Sequence, residues 1–256
     1  QCICNCTKIL SFNLIYLLDG RDDFTRIAGD HQIGSSDQNI LDILILNQNS
    51  LNIPQIICTQ FTNLESINVI SSNVEVLNEF SFTHCSRLNR IQFLYNNLYK
   101  LGDSLFVNNP LLTQVVLNRN RIRAISPNTF RGAAANLIDL HTNNLTEITP
   151  GTFGGLVNLT SLIIRNNQVP KLTANMFGST LNTIVDISAS NNQISFIEEE
   201  FFDGAVRLDK LDLSGNICSS QTFINIINNR EYVRLQLANC FGPATNATIS
   251  CAYTLS

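Results

Sequence analysis

A repeat of about 24 residues runs through most of this chain and strongly limits what it can fold into. The pattern L-x-x-L-x-L-x-x-N-x-L restarts at intervals of 23 to 25 residues. Its eight restarts are Leu41, Leu64, Leu88, Leu112, Ala135, Leu159, Ile184 and Leu208. Because eight copies in phase do not arise by chance, we expect one structural unit per repeat, stacked along a common axis.

Each repeat predicts a short β-strand that buries one of its faces. Positions four and six are apolar in every repeat, and this alternation is typical of a half-buried strand. In the first repeat it places Leu44 and Leu46 inside, with Ile43 and Ile45 on the opposite face. Since stacked strands of this kind pair in parallel, the predicted fold is an α/β solenoid with a parallel sheet on its concave side.

Two further columns of residues are predicted to line the core. Position nine is Asn in seven of the eight repeats, and its amide group can satisfy backbone groups in the turn after each strand. These residues are Asn49, Asn96, Asn120, Asn143, Asn167, Asn192 and Asn216, with Ser72 as the exception. An aromatic column on the convex side consists of Phe82, Phe106, Phe130, Phe153, Phe177 and Phe202. We assign structural roles to both columns.

The composition excludes two broad functional classes. Charged residues are only 14% of the chain and the net charge is −4, so a broadly basic surface that binds nucleic acid is not expected. No apolar run approaches the roughly 20 residues that a membrane-spanning helix needs. Neither a nucleic-acid partner nor a membrane span within this chain is therefore predicted.

Cysteines and glycosylation sequons indicate the compartment. Six of the eight cysteines lie near the two ends of the chain, which is typical of disulfide-closed caps in an oxidising environment. These six are Cys2, Cys4, Cys6, Cys218, Cys240 and Cys251. The sequons begin at Asn5, Asn144, Asn158 and Asn246, which are the predicted glycosylation sites. The chain is therefore predicted to be secreted.

The repeat resembles that of the leucine-rich-repeat family, and its 24-residue period with the Phe column resembles the extracellular branch. The resemblance covers residues 41–217 and implies a horseshoe-shaped solenoid, with residues 1–40 as an N-terminal cap and 218–256 as a C-terminal cap. Extracellular members typically carry four cysteines in each cap, whereas this chain has three at each end. The segment after Ser219 or Ser220 looks like the start of a C-terminal cap helix, with Phe223, Ile226 and Ile227 at helical spacing.

Repeat geometry limits how the cysteines can pair. Eight strand spacings of about 4.8 Å separate the caps by roughly 38 Å, so no disulfide joins the two ends of one chain. Cys58 and Cys85 lie on neighbouring repeats and can pair with each other, although Cys58 can also reach the N-terminal cap. Cys218 with Cys240 is the preferred bridge of the C-terminal cap, which leaves Cys251 as the candidate for a disulfide to a partner chain. The alternative is that Cys251 bridges within the cap and another cysteine stays reduced.

A candidate binding surface follows from the strand alternation. Positions three, five, seven and eight of each repeat form what we call the concave face. The middle of this face combines apolar, aromatic and cationic side chains, and Tyr and Arg are enriched in binding hot spots. The candidate ligand-binding residues are Ile70, Leu94, Tyr95, Asn118, Arg119, His141 and Arg165. Because these positions are exposed in any repeat protein, chance placement of Tyr and Arg is the alternative interpretation.

The chain is not predicted to be an enzyme. No catalytic motif, metal-binding motif or phosphate-binding loop occurs, and no cofactor is predicted. The abundance of Asn, the few charges and the irregular caps resemble secreted insect leucine-rich immune proteins and Toll-type ectodomains. This resemblance implies a secreted recognition module in innate immunity that binds a protein or pathogen-surface ligand. The alternatives are an extracellular matrix or adhesion protein and a protein inhibitor.

Overall fold

The computed structural model describes residues 36–53 and 55–242. Within them the strands are β1 (Asp42–Leu46), β2 (Ser66–Ile70), β3 (Val76–Leu77), β4 (Arg90–Leu94), β5 (Lys100–Leu101), β6 (Gln114–Val116), β7 (Leu137–Asp139), β8 (Ser161–Ile163), β9 (Lys171–Leu172), β10 (Asp186–Ser188), β11 (Phe196–Ile197), β12 (Lys210–Asp212) and β13 (Thr222–Ile224). The α-helices are α1 (Ile56–Gln60), α2 (Phe201–Gly204) and α3 (Ile226–Gln236). Short 3-10 turns span Asp37–Asn39, Ala174–Met176 and Gly178–Asn182.

The predicted solenoid with a parallel sheet is confirmed. The main sheet has the order β1-β2-β4-β6-β7-β8-β10-β12-β13. Each of the eight repeats contributes one strand, and the strands of successive repeats form seven parallel pairs. Two small parallel pairs, β3 with β5 and β9 with β11, lie outside this sheet. Turns rather than long helices connect most strands, so the sheet dominates the fold.

The predicted register is wrong in the first repeat. Ile43 pairs with Ile67, and Ile43 and Ile45 are buried, whereas Leu44 and Leu46 are only half-buried. The repeat therefore begins one residue earlier than predicted. The cause is that apolar residues occupy both alternations of this segment, and a slip by one residue exchanges the two faces of a strand.

The Asn column forms the predicted hydrogen-bond ladder from Asn96 onward. Asn143 is representative, because its Oδ1 accepts the backbone N–H of Ile122 at 3.0 Å. Its Nδ2 donates to the carbonyls of Leu117 at 3.0 Å and Leu140 at 2.9 Å. Each such Asn thus joins its own turn to the preceding repeat.

The corrected register changes the first rung of this ladder. Asn49 does not occupy it but lies on the surface, where it accepts a hydrogen bond from Asn73 at 3.1 Å. The rung is held by Gln48, whose backbone N–H donates to the Ser72 hydroxyl at 3.2 Å. Ser72 therefore takes part in the ladder, although its shorter side chain makes fewer bonds.

The aromatic column is continuous through six repeats. Successive rings from Phe82 to Phe177 have centroids 5.3 to 6.1 Å apart. Phe201, and not the predicted Phe202, continues the column at 5.9 Å from Phe177. Phe202 packs edge-on against Phe201 and extends the contact to Phe241. Both neighbouring residues are apolar and aromatic, so sequence spacing alone does not distinguish them.

Two disulfides confirm the predicted pairings. Cys58 bonds Cys85 with a Cα–Cα distance of 4.9 Å, and Cys218 bonds Cys240 at 5.0 Å. The first links two neighbouring repeats on the convex side, and the second joins the first residue of the C-terminal cap to the segment that follows α3. Cys2, Cys4, Cys6 and Cys251 lie outside the described residues. The disulfide from Cys251 to a partner chain therefore stays a prediction.

The start of the C-terminal cap differs from the prediction. The residues around Phe223 form β13, which pairs antiparallel with β12, and α3 begins only at Ile226. The physical reason is that a sheet edge exposes unpaired backbone groups, and a covering strand satisfies them. Arg234 of α3 donates to Asp203 at 2.7 Å and to Glu199 at 3.2 Å, which fixes the helix to the seventh repeat.

Candidate ligand-binding face

The structure brings the predicted ligand-binding residues together on adjacent rungs of the concave face. Tyr95 is 54% exposed, and Arg119 and Arg165 are also exposed. The remaining apolar and amide members, Ile70, Leu94 and Asn118, are half-buried. His141 differs from the others, because it is only 8% exposed. The accessible centre of the face is therefore made of an aromatic and cationic side chains.

Position eight of every repeat has a left-handed backbone, which the sequence analysis did not predict. The residues with φ between 52° and 71° at this position are Asn47, Ser71, Tyr95, Arg119, Thr142, Asn166, Asn191 and Gly215. This column also confirms the corrected register of the first repeat. Half of these residues are Asn or Gly, which tolerate this conformation well, and that column composition is the signal that could have revealed it.

Bulky residues at position eight raise the conformational free energy of the folded chain. The left-handed conformation costs an ordinary L-residue about 1 kcal/mol or more, yet Tyr95 and Arg119 adopt it on adjacent rungs with φ of 55° and 56°. The two side chains contact each other, because the Arg119 guanidinium lies 4.8 Å from the centroid of the Tyr95 ring. Such cation–π contacts contribute roughly 0.5 to 1 kcal/mol when exposed. This contact does not fully offset the cost of two left-handed residues.

A cluster of hydrogen-bonded polar side chains lies on the concave face beside Tyr95 and Arg119. The Nδ1 of His141 lies 2.7 Å from the Asp139 carboxylate, which also accepts the backbone N–H of His141 at 3.0 Å. Asn118 donates to the other oxygen of Asp139 at 3.4 Å. Burial argues against the predicted direct contact of His141 with a ligand, and its position suits holding Asn118 and Asp139 in place.

Asp212 connects the concave face to the C-terminal cap. Its carboxylate accepts hydrogen bonds from the Ser214 hydroxyl at 2.7 Å and the Thr222 hydroxyl at 2.8 Å. Burial raises the pKa of this carboxyl, but the hydrogen bonds from Ser214 and Thr222 outweigh that effect and leave the pKa lowered overall. The bonded, ionised form of Asp212 therefore stabilises the junction of β12 and β13.

We expect Asp212→Asn to lower stability in a pH-dependent way. A carboxyl whose pKa is lowered on folding stabilises the fold above its unfolded pKa, which is near 3.8, and loses this effect as the pH falls through the folded value. Urea unfolding at neutral pH should show the variant to be less stable than wild type. The difference should shrink as the pH falls below the unfolded pKa of 3.8, and a difference between variant and wild type that does not change with pH would contradict the assignment.

The described residues place two of the four sequons. Asn158 is exposed and Asn144 is half-buried, while Asn5 and Asn246 lie outside the described part of the chain. Along the described residues, no helix combines the length and apolar character that crossing a bilayer requires. The same residues contain no group of His, Cys, Asp or Glu side chains arranged to hold a metal ion.

Comparison with protein families identifies the repeat. Residues 51–183 match the family described as "BspA type Leucine rich repeat region" in six copies, and residues 158–217 match "Leucine rich repeat". No curated protein matches this chain.

Solved structures share the architecture. The TLR13–ssRNA13 complex matches with a TM-score of 0.63 at 19% identity, over 69% of this chain and 25% of that one. The functional domain of InlJ from Listeria monocytogenes, described as including a cysteine ladder, matches with a TM-score of 0.53 at 22% identity. That match covers 70% of this chain and 35% of InlJ. This chain thus spans a small part of each, and at these identities the likeness shows the fold alone.

Proposed function

This chain belongs to the leucine-rich-repeat family, and we propose that it is a secreted recognition module that binds a protein or microbial-surface ligand on its concave face. Parallel stacking of the repeats makes the concave face one continuous surface, on which a macromolecule can bind without entering a deep cleft. We assign the chain no catalytic step. The module binds through exposed side chains held on a rigid sheet.

One observation carries this proposal. Tyr95 and Arg119 are the two largest side chains in the left-handed column, and they lie side by side. The same position in four of the other six repeats is Asn or Gly, which adopt this conformation at lower cost. Backbone strain of this kind is concentrated at functional sites. We therefore place the centre of the binding surface at this pair.

Two further features support the extracellular and immune parts of the proposal. The two disulfides fit an oxidising compartment, and glycosylation at the exposed Asn158 is compatible with a secreted protein. Toll-like receptor and internalin structures share the fold, and this likeness is the basis for proposing a role in innate immunity. A matrix protein or a protease inhibitor of the same fold would be distinguished by the identity of the captured partner.

We expect Tyr95→Asn and Arg119→Asn to weaken partner binding without lowering stability. Truncation of a hot-spot side chain typically costs about 2 kcal/mol or more, which is roughly thirtyfold in affinity. Asn tolerates the left-handed backbone, so thermal melting should be unchanged or shifted upward. Capture of partners from native extracellular fluid, quantified by mass spectrometry, measures the loss.

Ser71→Asn is the matched control, because it introduces the same residue into the same backbone conformation on a neighbouring rung. It should leave capture unchanged. If both the Tyr95 and Arg119 variants capture partners as wild type does, while a convex-side variant such as Val157→Asp is impaired, the proposed surface is rejected.

A further inference from the structure

Two parallel rows of side chains, exposed except for the half-buried Asn97, continue from the concave face onto the flank of the solenoid. The arginine row consists of Arg119, Arg121 and Arg123, at positions eight, ten and twelve of one repeat, and all three are exposed. The tyrosine row consists of Tyr95, Asn97 and Tyr99, at the same positions of the preceding repeat. The residues between them, Asn96, Leu98, Asn120 and Ile122, are buried, so each row projects outward at every second residue.

Backbone contacts hold the two rows side by side. The backbone N–H of Arg121 donates to the carbonyl of Leu98 at 2.8 Å, and the Arg119 guanidinium covers one face of the Tyr95 ring at 4.8 Å. Tyr99 is 53% exposed. The two rows therefore form one band of cations beside one band of aromatic and amide groups.

The charge of the arginine row is not compensated within the described residues. No ion pair or side-chain hydrogen bond from Arg121 or Arg123 occurs there, whereas Arg87 and Arg234 both pair with carboxylates. Two acids contact the repeat that carries the row. Asp139 bonds Asn118 and His141. Asp103 bonds Ser126 and Asn128. Neither carboxylate forms an ion pair with the row in the described structure. In a chain whose net charge is −4, three adjacent unpaired arginines make a distinct positive surface.

The spacing of this surface suits one class of ligand. Ile122 is buried between Arg121 and Arg123, so these two side chains project like alternate residues of an extended segment, which lie about 6.6 Å apart. Arg119 precedes them in left-handed backbone and adds a third cation at the start of the row. Alternate side chains of an extended peptide have the same spacing. Arg guanidinium groups bind carboxylates through two parallel hydrogen bonds, and Arg clusters are a recurring means of recognising acidic motifs.

We propose that the two rows bind an extended polypeptide segment with acidic residues at alternate positions. The carboxylates of the segment pair with Arg121, Arg123 and Arg119, while its backbone lies against the exposed rings of Tyr95 and Tyr99. The proposal rests on the proposed function, since it names the chemistry of the ligand that the recognition module binds. It adds Arg121, Arg123 and Tyr99 to the binding surface.

Peptide binding measured by fluorescence anisotropy tests whether the two rows bind an acidic extended segment. The probe is a fluorescein-labelled peptide in which Glu alternates with Thr, a residue that favours extended backbone. Its isomer of equal composition carries the Glu residues in one block. The test variant is Arg121→Gln with Arg123→Gln. The matched control is Arg131→Gln with Arg207→Gln, which removes the same charge from exposed arginines elsewhere.

The alternating peptide should bind wild type and the control variant about tenfold more tightly than the test variant. It should also bind wild type more tightly than the block isomer does. Equal binding of the two isomers, or wild-type affinity in the test variant, would overturn the proposal. Tighter binding of a labelled oligouridylate than of the alternating peptide would overturn it too, in favour of a nucleic-acid ligand.

Failure here is distinguishable from failure of the proposed function. Loss of partner capture in the Tyr95→Asn and Arg119→Asn variants, together with no dependence of peptide binding on Arg121 and Arg123, overturns only the acidic-segment proposal. Full partner capture in those two variants instead removes the recognition surface on which the acidic-segment proposal rests.

Discussion

Asn143→Ala is expected to lower the free energy of unfolding by about 2 to 4 kcal/mol, which is one unsatisfied buried group and two lost hydrogen bonds. The substitution leaves the buried N–H of Ile122 without a partner. It also removes one of the two side-chain hydrogen bonds to each of the carbonyls of Leu117 and Leu140, which keep the bonds from Asn120 and Asn167. Each unsatisfied buried group costs about 1 to 3 kcal/mol. Urea unfolding followed by circular dichroism measures the change, which should weaken the interface between this repeat and the preceding one.

Two companion variants test the cause. Asn136→Ala removes an exposed Asn of the same repeat and should change stability little. Asn143→Asp keeps an acceptor for Ile122 but places a carboxylate oxygen against the two carbonyls, so it should destabilise the fold despite its equal size. A fully stable Asn143→Asp variant would contradict the proposed bonding.

Phe153→Ala is expected to cost about 3 to 5 kcal/mol, the range for removing a buried Phe side chain from a packed core. Phe153 is fully buried, with ring centroids 6.0 Å from Phe130 and 5.3 Å from Phe177. Deleting the ring leaves a cavity in the middle of the aromatic column, where both neighbours lose contacts. Thermal and urea unfolding of the variant measure the loss.

Val157→Ala is the control for this prediction, since Val157 belongs to the same repeat and is 64% exposed. It should stay within about 0.5 kcal/mol of wild type. A Phe153→Ala variant as stable as Val157→Ala would show that the aromatic column contributes little to the core.

Most of the fold could be predicted from the repeat, because one buried strand face, one Asn and one aromatic recur in each copy. The predicted register of the first repeat was wrong because both faces of its strand are apolar, as at Ile43 and Leu44. Which face is buried then depends on pairing with the neighbouring strand. The predicted start of the cap helix was wrong for a related reason. Phe223 suits a helix or a strand equally well, and the residues around it form a strand because pairing with β12 satisfies the backbone groups of the open sheet edge.

The candidate site was predicted only in outline. The alternation places Tyr95 and Arg119 on the exposed face, but it carries no information about a left-handed backbone at position eight. Nor does it show that His141 is buried and bonded to Asp139, because this contact depends on the conformations of two side chains. Features that arise from packing between repeats could therefore not be predicted from the sequence pattern.

Photo-cross-linking tests most directly whether recognition is centred on the Tyr95–Arg119 pair. A benzoylphenylalanine residue is placed at position 95 in one protein and at position 157, on an exposed turn outside the concave face, in another. Both are irradiated in native extracellular fluid, and adducts are identified by mass spectrometry. We predict a covalent partner adduct from position 95 and none from position 157. An adduct from position 157 alone would contradict the account.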